Sequence, residues 1–199
     1  WGDNEFGQTD VIEEPLSTIS AGYWHTCALR ADGSALCWGL EDGGRTEPPE
    51  GEFATLSSGW YHSCGLRGDG TPACWGMNTE GQADAPDGPF TQLSCGGLHC
   101  CGLNPDGTAT CWGSNEQGQA NAPGNLFVSL AAGADHTCGI GVDGVTVCWG
   151  ANMRGQSVPP SIAFAFITGG LDHSCGVDAL GEATCWGLDN HGQSTPPMD

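Results

Sequence analysis

The chain has 199 residues, with 24 acidic side chains against only four basic ones, and a formal net charge of −20. This balance leaves no cationic surface to neutralise a phosphate backbone, so it argues against binding to nucleic acid or to an anionic membrane. No stretch approaches the roughly 20 apolar residues that a membrane-spanning helix needs, so membrane insertion is not expected.

Cysteine is unusually frequent, with 12 residues, an even number. In an acidic chain without lysine, this usage favours disulfide bonds formed in an oxidising compartment. The chain is therefore predicted to be secreted or displayed at the cell surface. With 34 glycines and 12 prolines, it has little sequence from which to build long helices.

The sequence repeats itself with a constant step of 37 residues and no insertions. A WG dipeptide, a histidine and two cysteines recur at this step. The tryptophans of the dipeptide are Trp1, Trp38, Trp75, Trp112, Trp149 and Trp186. The chain is thus predicted to be a single repeat domain, with units 1–37, 38–74, 75–111, 112–148 and 149–185 and a partial unit 186–199.

Each unit contains a predicted β-hairpin between its two recurring cysteines. In the first unit Ala31-Asp32-Gly33 fits a three-residue loop whose last residue is left-handed, a conformation that glycine adopts without steric penalty. Counting outward from the loop places Cys27 opposite Cys37 at a non-hydrogen-bonded site, where a disulfide closes with little distortion. The same count predicts five cross-strand bridges: Cys27–Cys37, Cys64–Cys74, Cys101–Cys111, Cys138–Cys148 and Cys175–Cys185.

The two remaining cysteines and the tryptophan of the hairpin give two further predictions. Cys95 and Cys100 bracket the turn of the third unit and are predicted to bridge locally. Trp38 falls beside residue 28 of the partner strand, where the units carry only alanine or glycine, so the small residue is predicted to make room for the indole. Because both faces of such a sheet are apolar or carry sulfur, the units are expected to stack on one another.

The unit motifs WGxNxxGQ, GxxHxCxL, a DG turn and CWG resemble the regulator of chromosome condensation repeat in its short bacterial form. The resemblance covers the whole chain and implies an all-β fold, a β-propeller of short antiparallel blades. The family usually closes a ring of seven blades, and the unit cysteines are not part of its general pattern. A five-bladed ring, an arc of a larger ring and one stretch of a longer array all remain open.

The recurring histidine of each unit shares a strand face with two cysteines, as His25 does with Cys27 and Cys37. These side chains suit zinc, but most units lack a fourth ligand, and facing cysteines form disulfides under oxidising conditions. The alternative is that each imidazole caps a turn through a hydrogen bond. No unit gains a nucleophile with a nearby base, so neither an enzyme nor a cofactor or metal is expected.

Two positions inside the GxxHxC motif vary between units and mark the candidate site. They are aromatic in two adjacent units and acidic in two others, and in a propeller the turns that carry them line one end of the assembly. Exposed Tyr and Trp are frequent binding hot spots, although packing on neighbouring blades is the alternative. The predicted partner-binding residues are Tyr23, Trp24, Trp60, Tyr61, Leu98, Asp135, Leu171 and Asp172.

The leading hypothesis is a secreted, noncatalytic propeller that binds a protein partner. The net negative charge speeds encounter with a cationic partner. One alternative is a structural subunit that self-assembles end to end into an extracellular fibre or coat. A second alternative, inhibition of a secreted enzyme, is implied only by the resemblance.

Overall fold

The structure, a computed structural model, describes residues 2–196 and is built from five three-stranded antiparallel sheets, here called blades 1 to 5. The strands are β1 Leu16–Ala21, β2 His25–Arg30, β3 Ala35–Gly39, β4 Thr55–Ser58, β5 His62–Leu66, β6 Pro72–Gly76, β7 Gln92–Cys95, β8 His99–Leu103, β9 Ala109–Gly113, β10 Phe127–Ala132, β11 His136–Gly141, β12 Thr146–Gly150, β13 Phe164–Gly169, β14 His173–Asp178 and β15 Ala183–Gly187. Residues 2–196 contain no helix long and apolar enough to cross a membrane.

Each blade consists of three strands that follow one another in sequence and pair in that order. The WG dipeptides lie in the third strand of each blade, so the 37-residue units defined from tryptophan begin inside a blade. Trp1, the first tryptophan of the series, lies outside the described residues, as do residues 197–199 of the partial unit.

The predicted hairpin between the second and third strands is confirmed. Cys27 pairs with Cys37 across β2 and β3, and the loop glycine Gly33 has a φ of +82°. The backbone N–H of Arg30 donates to the carbonyl of Ser34 at 2.9 Å, which closes the loop. The left-handed position explains why glycine recurs at the end of every such loop.

All six predicted disulfides are present, including the local bridge between Cys95 and Cys100. In each bridge the two Cα atoms lie 4.0 to 4.1 Å apart, the close spacing of facing residues on neighbouring antiparallel strands. Every bridge joins two strands of the same blade, so the contacts between blades are noncovalent.

The alanine or glycine of the second strand makes room for a phenylalanine ring. The prediction that it makes room for the tryptophan indole was therefore wrong. In blade 2 a Cβ added to Gly65 would lie 2.5 Å from Cδ1 of Phe53. The tryptophan of this face, Trp75, is paired with Ser63 and packs at a tilt beside Phe53, with ring centroids 5.8 Å apart. Its indole N–H donates to the carbonyl of Arg45 at 3.2 Å.

The hydrophobic core is divided among the interfaces between successive blades. At the first interface, the cysteine-bearing back face of blade 1, with Cys27 and Leu29, packs on the front face of blade 2, with Phe53, Leu56 and Trp75. The other three interfaces repeat this pairing of back face with front face. A single blade has two apolar faces, so it is stable only between neighbours.

The outer faces of the first and last blades are uncovered in the described structure. Ile19 on the front face of blade 1 is 66% exposed, whereas the equivalent Leu130 and Ile167 are 2% and 3% exposed. Phe166 on the back face of blade 5 is 60% exposed. Within residues 2–196 the propeller is therefore an open arc of five blades.

Candidate functional site

The turns between the first and second strands of all five blades converge on a central cavity of about 320 Å³. One glycine from each turn lines it, together with several of the predicted site residues. Tyr23, Trp60 and Leu171 are among the lining residues. The turns that carry the variable positions of the GxxHxC motif therefore meet at this cavity, whereas the DG loops lie at the opposite end of the second strand. The other predicted site residues lie on these turns without lining the cavity: Trp24, Tyr61, Leu98, Asp135 and Asp172.

Backbone hydrogen bonds connect these turns from blade to blade. The N–H of Tyr23 donates to the carbonyl of Trp60 at 3.3 Å, and the N–H of Trp60 donates to the carbonyl of Gly97 at 3.2 Å. Further along, Gly97 donates to Ala134 at 2.9 Å and Ala134 to Gly170 at 3.0 Å. The turns thus form a continuous, hydrogen-bonded rim that holds the variable side chains in place.

The recurring glycine of each turn permits this close convergence. A Cβ added to Gly133 would lie 2.1 Å from Cε1 of His136 and 2.6 Å from the carbonyl oxygen of Gly170 in the next blade. The glycine is therefore required because the histidine ring and the neighbouring backbone approach it from two sides.

The aromatic residues of blades 1 and 2 form one cluster beside the cavity. Tyr23 lies against Trp24 with ring centroids 4.8 Å apart, and Trp24 lies 5.7 Å from Tyr61. Trp60 lies 6.2 Å from Tyr61. Trp24, Trp60 and Tyr61 are half-buried in the cluster, while Tyr23 is 55% exposed. The cluster therefore combines mutual packing with an open face on Tyr23.

Two further residues belong to this cluster and were not predicted from the sequence. Phe6 lies 6.0 Å from Trp24, and the guanidinium carbon of Arg45 lies 5.2 Å above the ring of Tyr61. Arg45 is 1% exposed and donates to the backbone carbonyl of Asp42. The available signal was that arginine stands here where the other units carry glutamine.

The turns of blades 4 and 5 carry two acidic side chains, which are not among the residues that line the cavity. Asp135 and Asp172 are half-buried, and each accepts a hydrogen bond from a buried glutamine amide, at 3.5 and 3.3 Å. Burial raises the pKa of Asp135, and the charges of Asp172 and Glu116 add to this shift. Leu98 of blade 3 is half-buried. Leu171 beside Asp172 is 56% exposed, so the rim has an aromatic side and an acidic side with apolar contacts.

Four of the recurring histidines are buried at the blade interfaces. The prediction that each imidazole caps a turn was wrong, because the hydrogen-bond partner belongs to the next blade. In blades 1 to 4 the histidine Nε2 lies within hydrogen-bond distance of a side chain of the next blade, whereas His173 of blade 5 is half-buried and has no following blade within residues 2–196. The pairs are His25 with Ser63 Oγ at 2.8 Å, His62 with Cys100 Sγ at 3.0 Å, His99 with Thr137 Oγ1 at 2.8 Å, and His136 with Ser174 Oγ at 2.7 Å.

These four histidine contacts, three to a hydroxyl and one to a sulfur, have the features of structural contacts. Burial lowers the pKa of His25, His99 and His136 to about 4 and that of His62 to about 3. The Nδ1 atoms of these four histidines have no hydrogen-bond partner, so no third group orients the ring as in a catalytic triad. The pairing recurs between blades and therefore does not mark a unique site.

One interface differs, because Cys100 stands where the other units carry serine or threonine. The ligand atoms of His62, Cys64, Cys95 and Cys100 lie within 4.8 Å of one another. The three sulfur atoms belong to disulfides, so they are not thiolates of the kind that bind zinc. The zinc set considered from the sequence, a histidine with two cysteines of its own unit, is likewise tied up in an intrablade bridge.

A family model described as regulator of chromosome condensation (RCC1) repeat matches residues 17–45, 53–82 and 90–119. Blades 1 to 3 of the chain thus match this repeat family. The three matches cover most of blades 1 to 3, and blades 4 and 5 carry the same recurring motif in the same strands. The family resemblance inferred from the repeat motifs is therefore confirmed.

The solved structures of two plant receptor-kinase ectodomains superpose on the chain. The ectodomain of the receptor kinase CR4 of the moss Physcomitrella patens is 32% identical with a TM-score of 0.79, over 94% of this chain and 55% of that one. The CRINKLY WD40 ectodomain of the Arabidopsis thaliana receptor kinase ACR4 is 26% identical with a TM-score of 0.79, over 94% and 72% of the two chains.

A yeast protein has the same fold at lower identity. Prp20p of Saccharomyces cerevisiae, whose structure is described with its binding properties to Gsp1p and histones, is 17% identical with a TM-score of 0.78, over 92% of this chain and 61% of that one. The chain thus spans little more than half the length of the moss ectodomain. No curated protein sequence matches it significantly. The structural matches confirm the predicted all-β propeller fold.

Proposed function

We propose that the chain is a noncatalytic protein-binding domain of a secreted or cell-surface protein, and that it contacts its partner through the rim of the central cavity. The observation that carries this proposal is the aromatic cluster at the rim, where Tyr23 remains 55% exposed. Tyrosine and tryptophan on a rigid scaffold supply large contact area at little entropic expense.

The chemistry of the rim favours a partner segment with basic and apolar side chains. The half-buried Asp135 and Asp172 lie on the acidic side, and the whole chain carries a net charge of −20. Arg45 above Tyr61 provides an internal example of a guanidinium held by an aromatic face at this site. If the partner is a secreted enzyme, the same contact would make the domain an inhibitor.

The extracellular setting is supported by two observations. Six disulfides within five small blades suit an oxidising compartment. The two receptor-kinase ectodomains that match at 32% and 26% identity are extracellular parts of their own proteins.

Binding should depend on Tyr23 and Asp172. We expect basic-apolar synthetic peptides to bind the chain at least about tenfold more tightly than acidic peptides of equal length. Tyr23→Ala and Asp172→Asn should each weaken binding of the basic peptides by about tenfold, the effect of a modest hot spot. The measurement is biolayer interferometry with immobilised peptides at two salt concentrations.

The matched control is Leu180→Ala, because Leu180 is 85% exposed in a DG-type loop away from the cavity. This variant should bind like the wild type, and all three variants should keep the wild-type melting temperature. Equal binding by Tyr23→Ala and Leu180→Ala would mean that only the overall negative charge attracts the peptides, and the rim proposal would fail.

A second candidate function, end-to-end self-assembly, is favoured by the two uncovered blade faces. The front face of blade 1 carries Ile19, 66% exposed, and the back face of blade 5 carries Phe166, 60% exposed. A back face packs on a front face at all four interfaces of the arc. A second copy of this chain offers the same complementary surface, in a head-to-tail arrangement that either closes into a ring or continues as a filament.

Self-assembly should appear as concentration-dependent association in analytical ultracentrifugation. Ile19→Glu should abolish it, because the glutamate would be buried against the back face of the neighbouring copy. Val11→Glu serves as the control, since Val11 is 86% exposed and lies outside the strands. A wild-type chain that stays monomeric at high concentration would exclude this candidate, and electron microscopy would distinguish rings from filaments.

A further inference from the structure

The interface between blades 2 and 3 contains two disulfides in direct contact. At the three other interfaces a hydroxyl of the following blade lies beside a cysteine of the preceding one, as Ser63 Oγ lies 3.4 Å from Cys27 Sγ. At this interface the hydroxyl is replaced by Cys100, whose Sγ lies 3.5 Å from Cys64 Sγ. Sulfur thus faces sulfur only at this one of the four interfaces in residues 2–196.

The four sulfurs form a row whose inner and outer members differ in exposure. Cys64 and Cys100, the inner pair, are both 0% exposed. Cys74, bonded to Cys64, is half-buried on the third strand of its blade. Cys95, bonded to Cys100, is 8% exposed and lines the central cavity. A small thiol can therefore reach the row from its outer ends, while the inner sulfurs contact each other.

We propose that this row is a disulfide-exchange site, in which a dithiol reductant converts the two intrablade bonds into one Cys64–Cys100 bond between blades 2 and 3. Exchange proceeds by attack of a thiolate on a disulfide sulfur, and it requires the attacking and attacked atoms to meet. Cys64 Sγ and Cys100 Sγ already lie 3.5 Å apart, so these two atoms are in contact before the exchange.

The electron and proton balance is that of a single two-electron reduction. The reductant thiolate attacks Cys95 Sγ, the Cys95–Cys100 bond breaks, and Cys100 leaves as a thiolate. The second thiol of the reductant then attacks the mixed disulfide, so the reductant departs in its cyclic oxidised form and Cys95 becomes a thiol. The Cys100 thiolate attacks Cys64 Sγ, and Cys74 leaves as a thiolate that takes up a proton.

Entry from the other end leads to the same product. If the reductant attacks Cys74, Cys64 leaves as a thiolate and attacks Cys100, and Cys95 is the final leaving group. In both directions the products are a Cys64–Cys100 bond and thiols on Cys74 and Cys95. The exchange replaces two bridges within blades by one covalent link between blades, a kind of link that the six disulfides of the described structure do not provide.

The experiment is partial reduction of the wild-type chain with one equivalent of dithiothreitol, followed by acid quenching, alkylation with N-ethylmaleimide and mapping of unreduced peptides by mass spectrometry. We expect alkylation of Cys74 and Cys95 together with a peptide pair linked through Cys64 and Cys100. The four remaining disulfides should stay intact. Alkylation of Cys95 and Cys100 with Cys64–Cys74 retained, or alkylation spread evenly over all bridges, would overturn the proposal.

Two variants test the same step without reductant. Cys95→Ser leaves Cys100 as a free thiol, so we expect it to form the Cys64–Cys100 bond spontaneously and to present Cys74 for alkylation. Cys100→Ser restores the hydroxyl found at the other interfaces, so Cys64–Cys74 should persist and Cys95 should be the alkylated residue. A Cys95→Ser protein in which Cys100 is alkylated and Cys64–Cys74 is intact would contradict the exchange.

Discussion

Replacing Phe127 with alanine should lower the free energy of unfolding by about 3–5 kcal/mol, the range measured for large-to-small changes at buried aromatic residues. Phe127 is 2% exposed and lies over Gly139, where an added Cβ would come within 2.4 Å of its ring. Its ring also packs on Trp149, with centroids 5.6 Å apart. Because glycine has no side chain to move into the space, the cavity left by alanine would collapse little.

The measurement is urea denaturation followed by tryptophan fluorescence, with Phe166→Ala as the matched control. Phe166 is the same residue type on a first strand, but it is 60% exposed, so its truncation should change the free energy by less than about 0.5 kcal/mol. Equal effects of the two substitutions would mean that the interface between blades 3 and 4 does not carry the core contact described for Phe127.

The free energy of unfolding should fall as the pH is lowered from 7 towards 4.5. The pKa of each of the four interface histidines is about 3 to 4 in the folded chain and 6.5 for an unperturbed imidazole. Above pH 6.5 neither state is protonated, whereas below it only the unfolded chain takes up protons. The stability is therefore present above pH 6.5 and is lost as the pH falls towards 4, by roughly 1–2 kcal/mol per histidine at pH 5.

The surroundings of these histidines support that direction. Desolvation is the main cause of the lowered pKa of all four histidines. The charge of Arg45 further lowers the pKa of His25, and neighbouring histidines further lower the pKa of the other three. The charge of Asp172 opposes the shift at His136 only in part. Burial raises the pKa of Asp135, so this single carboxyl favours the folded state as the pH falls, against the opposite effect of the four histidines. Four exposed loop carboxyls have a lowered pKa, so their contribution is lost only as the pH falls through about 3.8 and below: Asp32, Asp69, Asp106 and Asp189.

The measurement is the slope of unfolding free energy against pH between 7 and 5, from urea titrations. His136→Gln should reduce the slope by about one quarter, whatever it does to stability at pH 7, because one of four proton-binding differences is removed. His191→Gln is the control, since His191 is exposed and lies outside the strands and the blade interfaces. Stability that stays constant or rises between pH 7 and 5 would contradict neutral burial of the histidines.

The short-range features of the fold were predictable from the sequence. The DG loop defines the register of the hairpin, so the opposition of Cys27 and Cys37 follows from counting residues outward from Gly33. The local bridge between Cys95 and Cys100 follows from the same nearness in sequence. The 37-residue step also predicts that neighbouring units stack, because every sheet has two faces to cover.

The candidate site was predictable in position and unpredictable in detail. The variable turn residues do gather at one place, but the clustering of Tyr23, Trp24 and Tyr61 into one packed group depends on how closely blades 1 and 2 approach. The place of Arg45 above Tyr61 depends on that approach as well. Whether these residues bind a partner stays a prediction.

The sequence by itself determined the period, which is read directly from the recurring residues. It also determined the hairpin register and the disulfide pairs, because these depend on contacts within about ten residues along the chain. Only the tertiary structure decided what each blade presents to the next: the hydroxyl that meets His25, the phenylalanine that covers Gly65, and the sulfur of Cys100 that meets Cys64. The spacing and angle between blades result from the packing of whole side-chain faces, which no local pattern encodes.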